Sequence, residues 1–146
     1  MKNYLLVFIL FFSSCLDLIK QKELQSPKII ISLEKTACFG RCPVFKIIIY
    51  NNGEALYNGQ KFVKKVGEYD LKVSKREIDK ILSKAKKIGF NNLKNEYSER
   101  ITDLPTTYIM INNKKIKDYY GAPSKLKDLQ KMIENIVLEK LKIPSF

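Results

Sequence analysis

From Lys28 to Tyr119 the apolar residues fall into short, β-branched or alternating runs, and most of these end at residues that favour turns. That rhythm limits the fold to one built largely from antiparallel strands. Lys28–Glu34 reads as a first strand and Val44–Tyr50 as a second. Asn51-Asn52-Gly53 is a turn signal, because Asn and Gly tolerate positive φ, and Glu54–Asn58 completes a hairpin. Asn58-Gly59 is a second turn candidate, and Lys61–Val73 reads as one bulged strand or two short ones. Thr106–Asn112 and Lys114–Tyr119 form a later pair around Asn112-Asn113.

Two segments have helical period instead. Ser74-Lys75-Arg76-Glu77 has capping-box spacing, followed by the stripe Ile78, Ile81, Leu82, Ala85 and Ile88, with Gly89 as the stop. Gly121-Ala122-Pro123-Ser124 opens a second helix whose stripe is Leu126, Leu129, Met132, Ile133, Ile136, Val137 and Leu141. The polar stretch 91–100 reads as a connection. The expectation is an α+β two-layer sandwich, a mostly antiparallel sheet covered by two helices, in the order β-β-β-β-α-β-β-α.

The N-terminus speaks to location. Lys2 precedes a nearly continuous apolar run, Tyr4–Phe12, which is about the length of a signal-peptide core and too short to span a bilayer as a helix. Phe12-Ser13-Ser14-Cys15 resembles the lipobox of bacterial lipoproteins, in which a diacylglycerol is attached to the cysteine and cleavage leaves that residue N-terminal. The organisation expected is a signal peptide over 1–14, a tether over 15–27 beginning at lipidated Cys15, and a single domain over 28–146. Plain secretion and a buried N-terminal element are the alternatives. The expected address is the bacterial cell envelope, lipid-anchored at the outer membrane and facing the periplasm, with the inner membrane or the cell surface as other options.

The formal charge is +12, from 27 Lys and Arg against 15 Asp and Glu. An export signal separates the chain from nucleic acid, and the lysines are dispersed without an arginine cluster or stacking motif. No nucleic-acid partner is expected. The partners expected are the bilayer, through acylated Cys15, and an envelope protein or polyanionic envelope polymer.

With Cys15 lipidated, Cys38 and Cys42 remain as a pair in TACFGRCPVF, residues 36–45. A redox pair needs a thiolate of depressed pKa, commonly at a helix N-terminus, whereas Pro43 leads into a strand pattern. The chain has no histidine, so neither a Cys-His dyad nor a four-ligand zinc site is available among these residues. A disulfide between Cys38 and Cys42 is the leading expectation, ahead of a redox pair, a soft-metal site or free thiols. No metal and no cofactor is expected.

Cys38–Pro43, Thr102–Thr106 (TDLPT) and Tyr120–Pro123 (YGAP), within a stretch from about Ile29 to Ile136, resemble a bacterial family catalogued as domain of unknown function 6438. The resemblance implies an exported or lipidated single domain and brings no catalytic residues with it. The expected function is a membrane-anchored envelope lipoprotein with a noncatalytic binding domain, its surface drawn from Phe39, Arg41, Asp103, Asp118, Tyr119 and Tyr120. The alternatives are a thiol- or carboxylate-dependent envelope enzyme, with Asp103 and Asp118 as acid and base, or an accessory or inhibitor protein of an envelope enzyme.

Overall fold

The computed structural model describes residues 26–142. The signal segment, Cys15 and the tether up to residue 25 lie outside the described residues. The order is β1 (Ile29–Lys35), β2 (Val44–Tyr50), β3 (Glu54–Lys61), β4 (Gly67–Lys72), α1 (Lys75–Lys87), a 3-10 turn (Phe90–Asn92), β5 (Glu96–Tyr97), β6 (Thr107–Ile111), β7 (Lys114–Asp118) and α2 (Ser124–Lys140). The fold is α+β. One seven-stranded sheet runs β4-β3-β2-β1-β6-β7-β5, and only the short β5–β7 pairing is parallel.

Period-2 patterning sorts the strands cleanly. Ile31 and Leu33 of β1 lie between Ile49 and Ile47 of β2 on one side and Ile111 and Ile109 of β6 on the other. All six are buried, with Tyr57 opposite Ile47 and Ile116 opposite Ile109. The intervening residues, such as Ser32, Ile48, Leu56 and Met110, are only partly buried. Ile78, Ile81 and Ala85 of α1 and Leu126, Leu129, Ile133 and Val137 of α2 join the same core as the buried sheet face. Each Leu or Ile so buried contributes about 1.5–3 kcal/mol relative to exposure.

Local signals fix the joints. Ser74 and Glu77 form the capping box, with the Ser74 N–H donating to Glu77 Oε2 at 2.8 Å and the Glu77 N–H donating to Ser74 Oγ at 3.3 Å. Glu77 also pairs with Lys140 Nζ at 2.7 Å, which ties α1 to the end of α2. Gly53 turns the β2–β3 hairpin at φ 86°, and a Cβ there would stand 2.8 Å from the Val73 carbonyl.

Two expectations change. Asn58-Gly59 is not a turn: β3 continues through it to Lys61, with Gly59 opposite both Phe45 and Gly67. Gly59 is needed for closeness. A Cβ there would collide with the Lys65 carbonyl and stand 2.9 Å from the Tyr57 ring. The chain reverses instead over residues 62–66, where Phe62 takes φ 55°. The second change is β5, inserted between α1 and β6 in the expected order. It is held by two neighbouring backbone bonds, Lys117 N–H to the Asn95 carbonyl at 2.8 Å and Tyr119 N–H to the Tyr97 carbonyl at 2.9 Å.

Candidate functional site

The strand register sorts the loops onto two ends of the sheet. Lys35 is opposite Phe45 and Thr107, Thr107 is opposite Asp118, and Val44 is opposite Lys61. The segments 36–43, 62–66, 98–106 and 119–123 therefore leave from one end, here called the distal end. The chain enters β1 at the other, where Lys28 N–H donates to Asn51 Oδ1 at 3.0 Å.

Hydrogen bonds knit the distal segments together. The N–H of Thr36 donates to the Thr106 carbonyl, and Thr106 N–H donates to Thr36 Oγ1, both at 3.0 Å. Phe39 N–H reaches the Asp103 carbonyl at 3.4 Å. The Tyr119 hydroxyl donates to the Ile101 carbonyl at 2.5 Å and accepts from Leu104 N–H at 3.4 Å. Three stretches distant in sequence thus share one end.

Cys38 and Cys42 are joined by a disulfide with Cα atoms 5.7 Å apart. The five-residue loop holds Phe39 out, 90% exposed, with Gly40 and Arg41 also exposed. Asp103 is exposed and takes φ 72°, a left-handed conformation that Asp tolerates better than most residues. Its carbonyl serves the cysteine loop. Tyr120 is 44% exposed.

Asp118 has a different setting. Its side chain ends β7, is buried, and accepts from Gln130 Nε2 of α2 at 2.9 Å. A buried carboxamide and a buried carboxylate satisfy each other here, as buried polar groups must. Nearby, Lys35 Nζ meets Glu134 of α2 at 2.8 Å. Between this edge and α2 lies a cleft of about 510 Å³, lined among others by Lys35, Thr107, Asp118, Tyr120, Gln130 and Glu134. Asp103 is not among its lining residues, so the two carboxylates do not converge on this cleft as an acid–base pair would.

Sequence reasoning named the three motifs but missed Gln130 and the Lys35–Glu134 pair. Gln130 had a signal. It sits four residues after Leu126 and three before Ile133, so a polar side chain falls on the apolar stripe. Among the described residues no cluster of three or more Cys, Asp or Glu is placed to hold a metal ion, and no helix is long and apolar enough to cross a membrane.

What these features define is a small α+β domain with a clasped, loop-rich end and a cleft of mixed lining beside its second helix. A family model described as a domain of unknown function (DUF6438) matches residues 29–137. The chain belongs to that family, and the match runs from β1 through most of α2. No curated protein matches the chain, and no solved structure does.

Proposed function

We propose that this protein is an envelope lipoprotein, anchored through acylated Cys15 and a tether to Pro27, whose domain is a noncatalytic binding module. The anchoring reading rests on the signal-like Tyr4–Phe12 run and the lipobox-like Phe12–Cys15 stretch, with the outer membrane facing the periplasm as the address. The domain is a two-layer sandwich in this reading, α1 and α2 packing on the single buried sheet face. Its binding surface is the distal end: Phe39, Arg41, Asp103, Tyr119 and Tyr120 with the cleft at Asp118.

The observation that carries the binding reading is the meeting of the 36–43, 101–106 and 119–123 segments at one end of the sheet. Several groups that an enzyme reading would use are committed elsewhere. The thiols are joined, the Asp118 carboxylate accepts from Gln130, and the Tyr119 hydroxyl bonds two backbone groups. What stays exposed is Phe39, Arg41, Asp103 and Tyr120, aromatic and charged groups of the kind recognition uses, with Asp103 apart from the Asp118 cleft.

Metabolic labelling with [³H]palmitate tests the anchor. Label in the native protein and none in Cys15→Ala is the expected result; equal labelling of both, or of neither, would contradict it. For the binding end, Phe39→Ala with Tyr120→Ala is expected to lose in-cell crosslinks while keeping the circular dichroism of the parent; undiminished crosslinks would contradict it.

A further inference from the structure

The large apolar side chains that stay exposed are not scattered. Among the described residues they are Ile29, Phe39, Phe62, Val66, Ile101, Leu104 and Tyr120, and all but Ile29 lie in the distal segments defined by the strand register. Phe39 is 90%, Val66 64% and Phe62 54% exposed. The six stand on four segments: Phe39 on the disulfide-closed loop, Phe62 and Val66 on the β3–β4 reversal, Ile101 and Leu104 before β6, and Tyr120 after β7.

Basic residues accompany them. In sequence, Lys61, Lys64 and Lys65 flank Phe62 and Val66, Arg41 sits two residues from Phe39, and Arg100 precedes Ile101. Over the segments 36–43, 61–66, 98–106 and 119–123 the acidic residues are Glu99 and Asp103, so five basic side chains face two acidic ones. Protein–protein contact surfaces are depleted in lysine. Separate apolar tips set among lysines instead suit the boundary between head groups and acyl chains of an anionic bilayer.

We infer that the distal end is a second membrane contact, in which Phe39, Phe62 and Val66 insert into an anionic lipid surface while Lys61, Lys64, Lys65 and Arg41 neutralise its head groups. This deepens the proposed binding role by naming the partner, and it rests on that reading for the use of the distal end. It does not depend on acylation at Cys15. The tether is compatible with it. Twelve residues from Leu16 to Pro27 reach about 40 Å when extended, against about 23 Å for the seven-residue β1. A domain entered at one end can therefore lay its other end on the same bilayer.

The chain has no tryptophan, so Phe62→Trp supplies a single tryptophan, excited selectively over the eight tyrosines at the red edge of its absorption. The full chain carrying it is reconstituted in phosphatidylcholine vesicles with and without phosphatidylglycerol, including brominated lipid as quencher. Asn113→Trp, in the turn between β6 and β7 at the entry end, is the control. The expected result is a blue-shifted Phe62→Trp emission quenched by brominated lipid, dependent on phosphatidylglycerol and reversed by salt, with Asn113→Trp unquenched. Adding Lys61→Gln and Lys65→Gln is expected to weaken docking by about 30-fold, at roughly fivefold per lysine. Water-like, unquenched emission from Phe62→Trp in anionic vesicles overturns the inference and leaves the end to a protein partner. Equal quenching of both tryptophans, or equal quenching in neutral and anionic vesicles, overturns it as well. Palmitate labelling of Cys15 is read separately, so failure of the anchor and failure of the tip are distinguishable.

Discussion

Replacing Glu77 by alanine tests how the two helices are coupled. Its carboxylate takes a hydrogen bond from Lys140 at 2.7 Å and bonds from the Ser74 backbone N–H and hydroxyl at 2.8 and 2.7 Å. The Lys140 bond is the main cause of an acidity that lies at about 2 rather than 4.5; desolvation opposes it and the Ser74 bonds reinforce it. Taken at face value such a shift is a large stabilisation, but the side chain is about a quarter exposed and water screens the pair. The capping interaction contributes about 1 kcal/mol and a partly exposed ion pair about 0.5–1. Glu77→Ala should therefore cost about 1.5–2 kcal/mol, or roughly 6–8 °C in Tm for a domain of this size. The sign with pH follows from the depressed acidity. The contribution is fully present above 4.5 and is lost as pH falls toward about 2. Urea denaturation of the parent, Glu77→Ala, Lys140→Met and the double variant, from neutral pH down through the acid range, reads both effects. Equal stability of Glu77→Ala and parent, or a deficit that does not shrink on acidification, would refute the reasoning.

Three further outcomes follow from the packing. Gly59→Ala forces a Cβ against the Lys65 carbonyl and the Tyr57 ring, and should destabilise the domain by about 1–3 kcal/mol in chemical denaturation. Asp118→Ala leaves buried Gln130 without its acceptor and should cost about 1–3 kcal/mol, whereas Asp118→Asn, which keeps an acceptor oxygen, should lose less. In a Cys15→Ser background, no thiol should react without reductant and two should react with it; Cys38→Ser with Cys42→Ser should lower stability by at most about 2 kcal/mol, the closure entropy of so short a loop.

How far the fold could be read from the chain depended on how local its signals were. Alternation in β1, β2 and β6 and the stripe of α1 are one-dimensional patterns, and they mark the same elements in three dimensions. The capping box is a four-residue motif and forms as written. Asn58-Gly59 misled because a turn and a close approach both call for glycine, and the difference is a distant carbonyl, that of Lys65. Strand β5 was illegible because two residues show no period, and its partner β7 lies some twenty positions further on, joined through the Asn95–Lys117 and Tyr97–Tyr119 backbone bonds. At the candidate site the motifs were visible as separate strings. Their convergence was not, because it rests on contacts such as Thr36 with Thr106, seventy positions apart.

The central claim is that the distal end, with its clasped Phe39 tip, is the working surface of the domain. The most direct test places a photo-reactive phenylalanine derivative at Phe39, Tyr120 or Asn113 in turn and irradiates intact cells. Adducts from positions 39 and 120 with none from position 113 are the predicted result. Adducts from 113 alone, equal adducts at all three, or none from the distal positions would contradict it.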